Sequence, residues 1–432
     1  MLAETIAQTF EVFETSKVST SQNVWGQAEI IQTEGSHTSG VYPKRQLAIV
    51  RGQGAHVWDA EGREYIDCVA GQGSANLGHC HPAVVQAIAG QASRLITCPE
   101  TFHNDVRAAL LRRLAEVAPP GLSRAFLCNS GTEAVEAAIK FSRAATGRPG
   151  IVAAKRGFHG RTMGALSATW KEDYRRPFAP LTPGFSHVPF NDLTALEEAV
   201  TAETAAVLLE PVQGEGGVHV AQQEYLQGAA ALCRQRGALL VLDEVQTGYG
   251  RTGRLFACEH FDVIPDLLCI AKSMAGGLPT GACLIGPRVG TLPPMSHGST
   301  FGGNPLASAA ALAVLNVMTS DYPAPGTGET LPRRAARLGR HLAEEIRALD
   351  LPVVREVRGL GLMVGVDLRI KVTPVLQRLQ SLGVLALPAG LTVLRLLPPL
   401  VIGEADLVRV VAAIEEALSV DPGMGSRTQE EN

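Results

Sequence analysis

The sequence of 432 residues predicts an α/β fold, with a large domain built on a mostly parallel sheet and a smaller α+β domain. From Val106 to Val317, short apolar or β-branched runs alternate with helical patterns, as in a sheet covered by helices on both faces. Two of these runs, Ala238–Leu242 and Leu267–Ile270, are apolar throughout and have the length of buried parallel strands. After the Pro/Gly-rich segment Asp321–Glu329, the pattern changes to a helix followed by short strands.

The elements of the large domain are predicted from hydrophobic periodicity between turn residues. Strands are predicted at Arg124–Leu127, Gly150–Ala154, His187–Pro189, Ala205–Leu209, Leu239–Leu242, Leu267–Ile270 and Gly281–Ile285. Helices are predicted at Val106–Ala118, Glu133–Thr146, Thr194–Ala202 and Gln223–Arg236. This alternation is typical of a doubly covered sheet.

The two ends of the chain supply the smaller elements. Alternating residues between Gly-bearing turns predict a three-stranded meander at Leu47–Arg51, His56–Asp59 and Glu64–Asp67. The C-terminal part predicts a helix at Arg333–Leu349, strands near Val353–Val357, Gly361–Asp367 and Val393–Leu396, and a last helix at Glu404–Leu418. The predicted divisions are an N-terminal extension (1–38), the first part of the small domain with a linking segment (39–105), the large domain (106–320), the C-terminal small domain (330–418) and a disordered tail (419–432).

Composition excludes several classes of protein. The chain is 46% hydrophobic and 19% charged with a net charge of −4, which allows a large core and gives no sign of nucleic-acid binding. It has no apolar run of the roughly 18 residues that a membrane span needs, and its N-terminus lacks the basic and apolar regions of a signal peptide. The eight Cys are scattered without a C-x-x-C pair, and no H-E-x-x-H motif occurs. We therefore expect a cytoplasmic protein with reduced thiols and no metal site.

Two charged residues follow apolar strands of the predicted sheet. Asp243 comes directly after Leu239–Leu242, and Lys272 comes shortly after Leu267–Ile270. Ligands of open α/β sheets bind beyond the carboxyl ends of the strands, so an acid and an amine there indicate a functional site. Taken alone, the pair is more simply explained as surface residues at ordinary strand ends.

A turn that carries hydroxyl groups and a glycine lies between a strand and a helix at Leu127–Ala134. Gly131 lets the backbone approach closely, and Thr132 with the first free N–H groups of the helix can hold a phosphate, which the helix dipole favours. The simpler interpretation is a helix N-cap with Glu133 in the first turn. A G-x-G-x-x-G match at Gly248–Gly253 does not favour a dinucleotide fold, because no convincing helix follows it.

Two further loops carry residues that suit a ligand. In the first, Phe158 could stack on a planar ring and Arg161 could hold a carboxylate, although a core Phe and a surface Arg explain the pattern equally well. In the second, Glu210–Gly217, two acids lie in a Gly-rich turn after a strand. A solvated loop has the same composition.

The C-terminal half adds a hydroxyl- and glycine-bearing loop, His297–Pro305, and an arginine in an apolar context, Arg395. The loop could equally be an ordinary connection before a helix. Arg395 lies in V-L-R-L-L-P-P-L-V-I and should have an anionic partner, either a ligand or a structural carboxylate. Together these features match the needs of pyridoxal phosphate, which requires a Lys for its aldehyde, an acid for its ring nitrogen, a stacking face and a helix N-terminus for its phosphate.

Six motifs in order also make the chain similar to a known family. They are N-S-G-T-E-A, F-H-G-R-T, E-P-V-Q-G-E-G-G, D-E-V-Q-T-G-Y-G-R-T-G, A-K-S-M-A-G-G-L-P and T-F-G-G-N-P. Over roughly residues 40–418 the chain resembles the class III (subgroup II) pyridoxal-phosphate aminotransferases, which have fold type I. Within the class it resembles the acetylornithine aminotransferase group, and most closely the enzymes that act on lysine or ornithine linked to the amino-group carrier protein LysW.

The resemblance implies a role for each site residue. Lys272 would condense with the cofactor aldehyde and act as general base and acid, and Asp243 would keep the ring nitrogen protonated. The other implied cofactor contacts are Gly131 and Thr132 with the phosphate, Phe158 and Val245 with the ring faces, Gln246 with the ring hydroxyl, and Thr300 with the phosphate of the partner subunit's site. The implied substrate contacts are Arg161 and Arg395 with carboxylates, Glu215 as a movable partner of Arg395, Ser299 beside Thr300, and Glu210 as a support of Asp243 and Gln246.

The resemblance also implies a reaction and partners. We expect a homodimer with shared active sites. The expected activity is that of an ω-aminotransferase, which moves the terminal amino group of carrier-linked lysine or ornithine to 2-oxoglutarate. The products would be a semialdehyde and glutamate, in lysine or arginine biosynthesis. The alternatives are an N-acetylornithine aminotransferase and, in another class, a pyridoxal-phosphate-dependent semialdehyde aminomutase, which needs no external 2-oxoglutarate. An acidic carrier would need a basic rim at the site. Candidates for such a rim are Lys44, Arg45, Lys155, Arg156 and Arg161, although five loop charges are more often a solvated face.

Overall fold

The computed structural model describes residues 25–323 and 328–419. Its contacts define two compact units. Within the described residues, one is formed by 25–52 together with Val57–Glu64, and the other by Gln53–His56 together with 65–323 and 328–419. The predictions for residues 1–24 and for the tail beyond residue 419 lie outside the described residues. The predicted domain boundaries stay predictions.

The first unit contains the helix Gln27–His37, which buries none of its side chains. It also contains most of two neighbouring strands, β1 (Ile49–Gln53) and β2 (His56–Asp59). The guanidinium of Arg51 lies 3.7 Å from the centre of the Trp58 ring, a cation–π contact between these strands. Strand β1 begins two residues later than the alternating pattern predicts.

The remaining strands follow in chain order. They are β3 (Glu64–Asp67), β4 (Arg124–Cys128), β5 (Gly150–Ala154), β6 (Phe185–Val188), β7 (Thr204–Leu209), β8 (Val212–Gln213), β9 (His219–Val220), β10 (Leu239–Asp243), β11 (Leu267–Ile270), β12 (Gly281–Ile285), β13 (Val354–Leu360), β14 (Met363–Leu368), β15 (Val384–Leu385), β16 (Leu387–Ala389) and β17 (Val393–Leu396). The helices are Ala70–Gly73, Pro82–Ala92, Asp105–Val117, Gly131–Thr146, Met163–Ala168, Glu172–Arg175, Leu193–Ala199, Gln223–Arg236, Pro305–Thr319, Leu331–Ala348, Val372–Ser381 and Glu404–Ser419. Short 3₁₀ turns occur at Arg176–Phe178, Ala257–His260, Lys272–Ala275 and Pro287–Val289.

A seven-stranded sheet organises the second unit, with the order β4-β12-β11-β10-β7-β5-β6. All its strands run parallel except β12, which pairs antiparallel with both neighbours. Every residue of β7, β10, β11 and β12 is buried, because the sheet is covered on both faces and these strands are apolar apart from Thr204 and Asp243. The predicted large, mostly parallel sheet is therefore confirmed.

Strand β6 differs from its prediction in a way that the pairing explains. The sequence predicts His187–Pro189, whereas β6 starts at Phe185, which pairs with Ile151 of β5. Pro189 has no N–H to donate, so the ladder ends before it. Burial and pairing with β5 set the register of this edge strand, and its own alternation does not show where pairing begins.

The C-terminal part forms a second, antiparallel sheet with the order β13-β14-β17-β16. Arg395 lies on the inner strand β17, where its Cα is paired with Gly365 of β14 and with Leu387 of β16. This position leaves the Arg395 side chain only 1% exposed. Among the helices of residues 25–323 and 328–419, none combines the length and the apolar character needed to cross a membrane.

Candidate active site

Strands β10 and β11 bring Asp243 and Lys272 to the same edge of the sheet. The two strands are parallel neighbours, with the Cα of Asp243 opposite that of Cys269. Lys272 begins a 3₁₀ turn two residues after β11 ends, and its φ of 40° is left-handed. Such a backbone is costly for a residue with a side chain and is typical of functional sites. The strand-end acid and amine therefore lie at adjacent strand ends.

The Asp243 carboxylate is held by two hydrogen bonds. His159 Nδ1 donates to Oδ2 at 2.8 Å, and the backbone N–H of Val245 donates to Oδ1 at 3.1 Å. Asp243 is 4% exposed and His159 is 3% exposed, so this pair is shielded from water. Burial opposes the charged form of His159, but the hydrogen bond and negative charge of Asp243 outweigh it and raise the pKa of His159 above its ordinary value. Asp243 therefore favours the charged form of His159.

Glu210 completes a buried cluster with these two residues, and we call Asp243, His159 and Glu210 the carboxylate–imidazole cluster. Burial raises the pKa of Glu210 to about 7, with His159 opposing and Asp243 adding to the rise. Its carboxylate accepts N–H bonds from Phe158 at 3.0 Å and from Gly214 at 3.3 Å. These two hydrogen bonds tie Glu210 to the backbone of two loops, and its support of Asp243 and Gln246 stays a prediction.

The turn before the helix Gly131–Thr146 has both features that the sequence suggests. Ser130 caps the helix, accepting a bond from Glu133 N at 3.3 Å and donating to the Glu133 carboxylate at 2.9 Å. A Cβ on Gly131 would lie 2.6 Å from Val245 Cγ1, so only glycine fits there. The capping interpretation is therefore correct, and the capped helix N-terminus at Gly131 can still serve an anion.

The loop Phe158–Thr162 packs directly on this turn. Gly160 has a φ of 139°, and a Cβ there would lie 2.3 Å from Thr132 Oγ1. Thr132 and Thr162 share a hydroxyl hydrogen bond of 2.7 Å. The predicted phosphate loop and the predicted aromatic loop therefore form one surface.

Phe158 and Arg161 both contact the ring of Tyr174, a residue to which the sequence patterns assign no role. The ring centroids of Phe158 and Tyr174 are 6.2 Å apart at 87°, and the Arg161 guanidinium lies 3.8 Å from the Tyr174 ring centre. Arg161 is exposed and makes no ion pair within the part of the chain that the structure describes. Stacking holds the guanidinium in place while its N–H groups stay free for a carboxylate.

Arg395 has the anionic partner that its apolar context requires. Its Nη1 donates to Glu215 Oε1 at 2.6 Å and to Gln246 Oε1 at 3.2 Å. The Glu215 side chain is 30% exposed, against 1% for Arg395, so the acid rather than the base can move toward solvent. We call these two residues the Arg395–Glu215 pair.

Lys272 lies among these charges. Burial, helped by the nearby Arg395 cation, lowers the pKa of Lys272, while Glu215, Asp243 and Glu210 oppose the change. Across residues 25–323 and 328–419, its amine has no hydrogen-bond or ion-pair partner. An amine with a depressed pKa is more readily uncharged and able to attack a carbonyl.

Ser299 and Thr300 have different surroundings. Ser299 Oγ accepts from Asn129 Nδ2 at 3.0 Å and from Gly302 N at 3.0 Å, next to the turn that holds Gly131. Thr300 is exposed. The sequence patterns assign no role to Asn129, His159 or Tyr174. His159 lies inside the F-H-G-R-T motif and was detectable there, whereas nothing in the sequence marks Tyr174.

The residues present fit pyridoxal phosphate. The buried acid Asp243, the unpaired amine of Lys272, the helix N-terminus at Gly131 and the Phe158 ring supply the four kinds of contact that the cofactor needs. No group of three or more His, Cys, Asp or Glu suited to a metal ion occurs in the described ranges. The fold and the site thus define a pyridoxal-phosphate-dependent enzyme of the aminotransferase type.

The comparisons with known proteins identify the family. Residues 39–418 match the aminotransferase class-III family, and the chain belongs to it. The chain is 50% identical over 393 residues to a [LysW]-aminoadipate semialdehyde transaminase of Deinococcus radiodurans, covering 90% of each protein. It is 48% identical over 382 residues to an acetylornithine aminotransferase of Methanopyrus kandleri, covering 87% of this chain and 95% of the relative.

Solved structures agree with this assignment. The ornithine aminotransferase of Toxoplasma gondii superposes with a TM-score of 0.86 at 36% identity, over 91% of this chain and 95% of that one. The predicted fold type I architecture and pyridoxal-phosphate dependence are both confirmed at the level of the family.

Proposed function

We propose that this aminotransferase moves the terminal amino group of lysine, or of ornithine, linked to an acidic amino-group carrier protein to 2-oxoglutarate, which yields a semialdehyde and glutamate. The observation that carries the proposal is the Arg395–Glu215 pair, with its N–O distance of 2.6 Å. The name of the Deinococcus radiodurans relative supports the carrier-linked substrate.

The two substrates of such an enzyme differ at the reacting carbon. Glutamate carries a carboxylate there, whereas a terminal amine carries none. A buried guanidinium without a partner costs on the order of several kcal/mol. With the amine bound, Glu215 stays on Arg395; with 2-oxoglutarate bound, the α-carboxylate takes its place and Glu215 turns toward solvent. One site can thus accept both substrates.

The carboxylate–imidazole cluster and Lys272 do the same work in both half-reactions. Pyridoxal phosphate, when bound, supplies a ring that stabilises negative charge at the amine-bearing carbon of the substrate. Asp243, hydrogen-bonded to His159, would hold the proton on the ring nitrogen. As general base the amine of Lys272 would take the proton from the amine-bearing carbon of the substrate, and as general acid it would deliver that proton to the cofactor carbon that had carried the aldehyde. Gly131 and Thr132 would hold the phosphate, Phe158 and Val245 would contact the ring faces, and Gln246 would contact the ring hydroxyl.

The far carboxylate of the substrate is assigned to Arg161. Its guanidinium is exposed and stacked on Tyr174, so it is oriented without being neutralised. In 2-oxoglutarate this is the side-chain carboxylate, and in the amine donor it is the group at the opposite end from the reacting amine.

We further propose that the enzyme is a homodimer in which Thr300, with Ser299 beside it, contributes to the partner's phosphate site. The support is an exposed apolar patch beside these residues: Phe102 is 64% exposed and Phe301 is 60% exposed. Arg107 ties the two segments together, donating to the carbonyls of Cys98 and Gly303. Large exposed aromatic residues in one patch are typical of subunit interfaces.

The carrier proposal rests on a basic surface near the site. Lys155 and Arg156 are exposed and line a cavity of about 350 Å³ with His219. A Cβ on Gly216 would lie 2.5 Å from the carbonyl of Arg156, so this turn packs against the loop that carries Glu215. Of the other rim candidates, Arg161 is exposed beside Tyr174, and Lys44 pairs with Glu34 at 2.6 Å in the first unit.

The deciding experiment compares carrier-linked lysine, free lysine and acetylornithine as donors to 2-oxoglutarate. We expect the carrier-linked donor to have the highest kcat/KM. In the double variant Lys155→Gln/Arg156→Gln its KM should rise about tenfold, with no change for acetylornithine; Arg112→Gln, a distant exposed arginine, is the matched control. Equal use of free and carrier-linked lysine would contradict the carrier proposal.

The second candidate is an acetylornithine aminotransferase, which the Methanopyrus kandleri relative favours. It is supported if acetylornithine has the highest kcat/KM in the same assay. A semialdehyde aminomutase would form product without 2-oxoglutarate, so omission of the keto acid separates it from both aminotransferases.

A further inference from the structure

A second cavity lies apart from the active site. It has a volume of about 280 Å³ and is bounded by the helix Leu331–Ala348, the turn Gly359–Gly361 and the loop from Thr252 to His260. None of the residues assigned above to cofactor or substrate lines it. Its volume is close to the low end of small-molecule sites, about 300 Å³.

Two polar atoms at this cavity, Thr252 Oγ1 and His260 Nε2, have no hydrogen-bond partner among the described residues. Thr252 is fully buried, and its Oγ1 has no hydrogen-bond partner in residues 25–323 and 328–419. His260 Nε2 is also buried and, within the same ranges, also has none. Buried polar atoms are almost always hydrogen-bonded, because leaving them unpaired is costly. Two unpaired groups beside one cavity point to a ligand that pairs with them.

The charges around the cavity are all of one sign. Arg340 and Arg347 line it, and its described lining contains no carboxylate. Arg340 is exposed and has neither a hydrogen bond nor an ion pair within the described chain. Arg347 uses Nε and Nη2 on the Val357 carbonyl, at 3.2 and 2.8 Å. A free guanidinium beside unpaired polar groups suits an oxyanion.

The backbone around the cavity is closely packed. A Cβ on Gly339 would lie 1.8 Å from the Gly361 carbonyl oxygen, and a Cβ on Gly361 would lie 2.4 Å from the Thr252 carbonyl carbon. Gly361 also has a φ of +57°. The helix, the turn and the loop therefore meet through glycines that no other residue can replace. The cavity is preformed, which reduces the entropic cost of binding.

We infer that this cavity is a second ligand site, which binds a small molecule carrying a carboxylate or phosphate group, with Arg340 on the anionic group and Thr252 and His260 on its remaining polar atoms. Burial lowers the pKa of His260 below its ordinary value although a hydrogen bond with the Thr252 backbone opposes the change, so burial favours the uncharged ring. An occupant would contact the loop that follows β10, because Thr252 belongs to that loop and lines the cavity. The loop is anchored by the neighbouring Arg251, which donates to Leu362 O at 2.9 Å and to Asn76 Oδ1 at 2.6 Å.

The test is equilibrium binding of citrate and, separately, of inorganic phosphate to the holoenzyme at constant ionic strength. The variants are Arg340→Gln, which removes the cation, and Thr252→Val, which keeps the side-chain shape and removes the hydroxyl. Arg333→Gln, an exposed arginine of the same helix that does not line the cavity, is the control. Comparison with this control separates the cavity from anion binding at the active site.

We expect Arg340→Gln to weaken binding of at least one probe about tenfold or more, while Arg333→Gln binds like the wild type. A loss confined to citrate identifies a carboxylate ligand, and a loss confined to phosphate identifies a phosphate ligand. Equal binding by Arg340→Gln and Arg333→Gln for both probes, or no binding of either probe to the wild type, overturns the inference. If Thr252→Val does not fold, Arg340→Gln decides alone. The result does not depend on which amine the enzyme uses.

Discussion

Two parts of the active site are built in different ways. The carboxylate–imidazole cluster is almost fully buried, and Asp243 is fixed by two hydrogen bonds from separate segments. The Arg395–Glu215 pair joins a buried guanidinium to an acid that is 30% exposed on a Gly-rich loop. The first is shielded from water on both sides of its hydrogen bond, whereas the second has one partner that reaches solvent.

This difference matches two tasks in the proposed function: the carboxylate–imidazole cluster serves the chemical step, and the Arg395–Glu215 pair serves the choice of substrate. An acid that holds a ring-nitrogen proton must keep its charge and position in both half-reactions, so burial and repeated bonding suit it. A group that distinguishes an amine from an amino acid must change its contacts between the half-reactions. In the proposed function the partly exposed Glu215 changes its contacts while the hydrogen bonds of Asp243 stay in place.

The largest effect is expected for Lys272→Ala. Because we propose that this amine both reacts with the cofactor aldehyde and moves the proton, turnover should fall by at least about 10³-fold. The visible absorbance of the bound cofactor should disappear or shift strongly, which absorption spectroscopy measures. Lys371→Ala, at an exposed lysine with no assigned role, serves as the matched control. An unchanged spectrum in Lys272→Ala would show that another group holds the cofactor.

Asp243→Asn should have the next largest effect. The amide cannot hold a proton on the ring nitrogen as an anion does, so kcat should fall about 10²- to 10³-fold for both half-reactions. Cofactor binding should persist, since the phosphate loop and Lys272 are intact. Near-normal turnover of this variant would remove Asp243 from its assigned role.

Arg395→Gln should affect one half-reaction more than the other. Loss of a charge-assisted bond to the α-carboxylate should slow the half-reaction with 2-oxoglutarate about 10- to 100-fold. The half-reaction with the terminal amine, which places no carboxylate there, should change less. Single-turnover rates for each substrate measure this, and equal losses in both would contradict the assignment.

His159→Gln should give the smallest effect and one that depends on pH. The pKa of His159 is raised in the folded protein, so its stabilising contribution is complete below the ordinary value of 6.5 and is lost as the pH rises through the folded pKa. The difference in free energy of unfolding between wild type and variant should therefore be larger at about pH 6 than at about pH 9. Denaturant titrations at both values measure it, and a constant difference would mean that His159 is not charged.

Much of the large domain could be predicted because its strands are continuous apolar runs. β5, β11 and β12 have the predicted bounds, and Asp243 and Lys272 follow directly from where β10 and β11 end. The edge strand β6 was shifted because its register depends on β5. The local hydrophobic pattern is sufficient to predict the bounds of a strand that is buried along its whole length. It is insufficient for an edge strand, whose bounds depend on pairing with its neighbour.

A site residue could be predicted from the sequence where its residue type is rarely found in that context without a functional or structural partner. An arginine in an apolar run needs an anion, and Glu215 supplies it. Tyr174 lies in a short helix without any distinctive pattern, and its contact with Arg161 depends on how two loops fold back. The contacts of Glu210 with Phe158 N and Gly214 N likewise depend on tertiary structure.

The most direct test of the distinction between the two parts of the site is the rate of each half-reaction in Glu215→Ala, with Glu198→Ala as an exposed control. Removing Glu215 leaves Arg395 open to any carboxylate. We predict that the half-reaction with glutamate keeps or gains rate, while that with the terminal amine loses roughly tenfold, since an unpaired buried cation then faces the amine donor. An equal change in both rates would contradict the account.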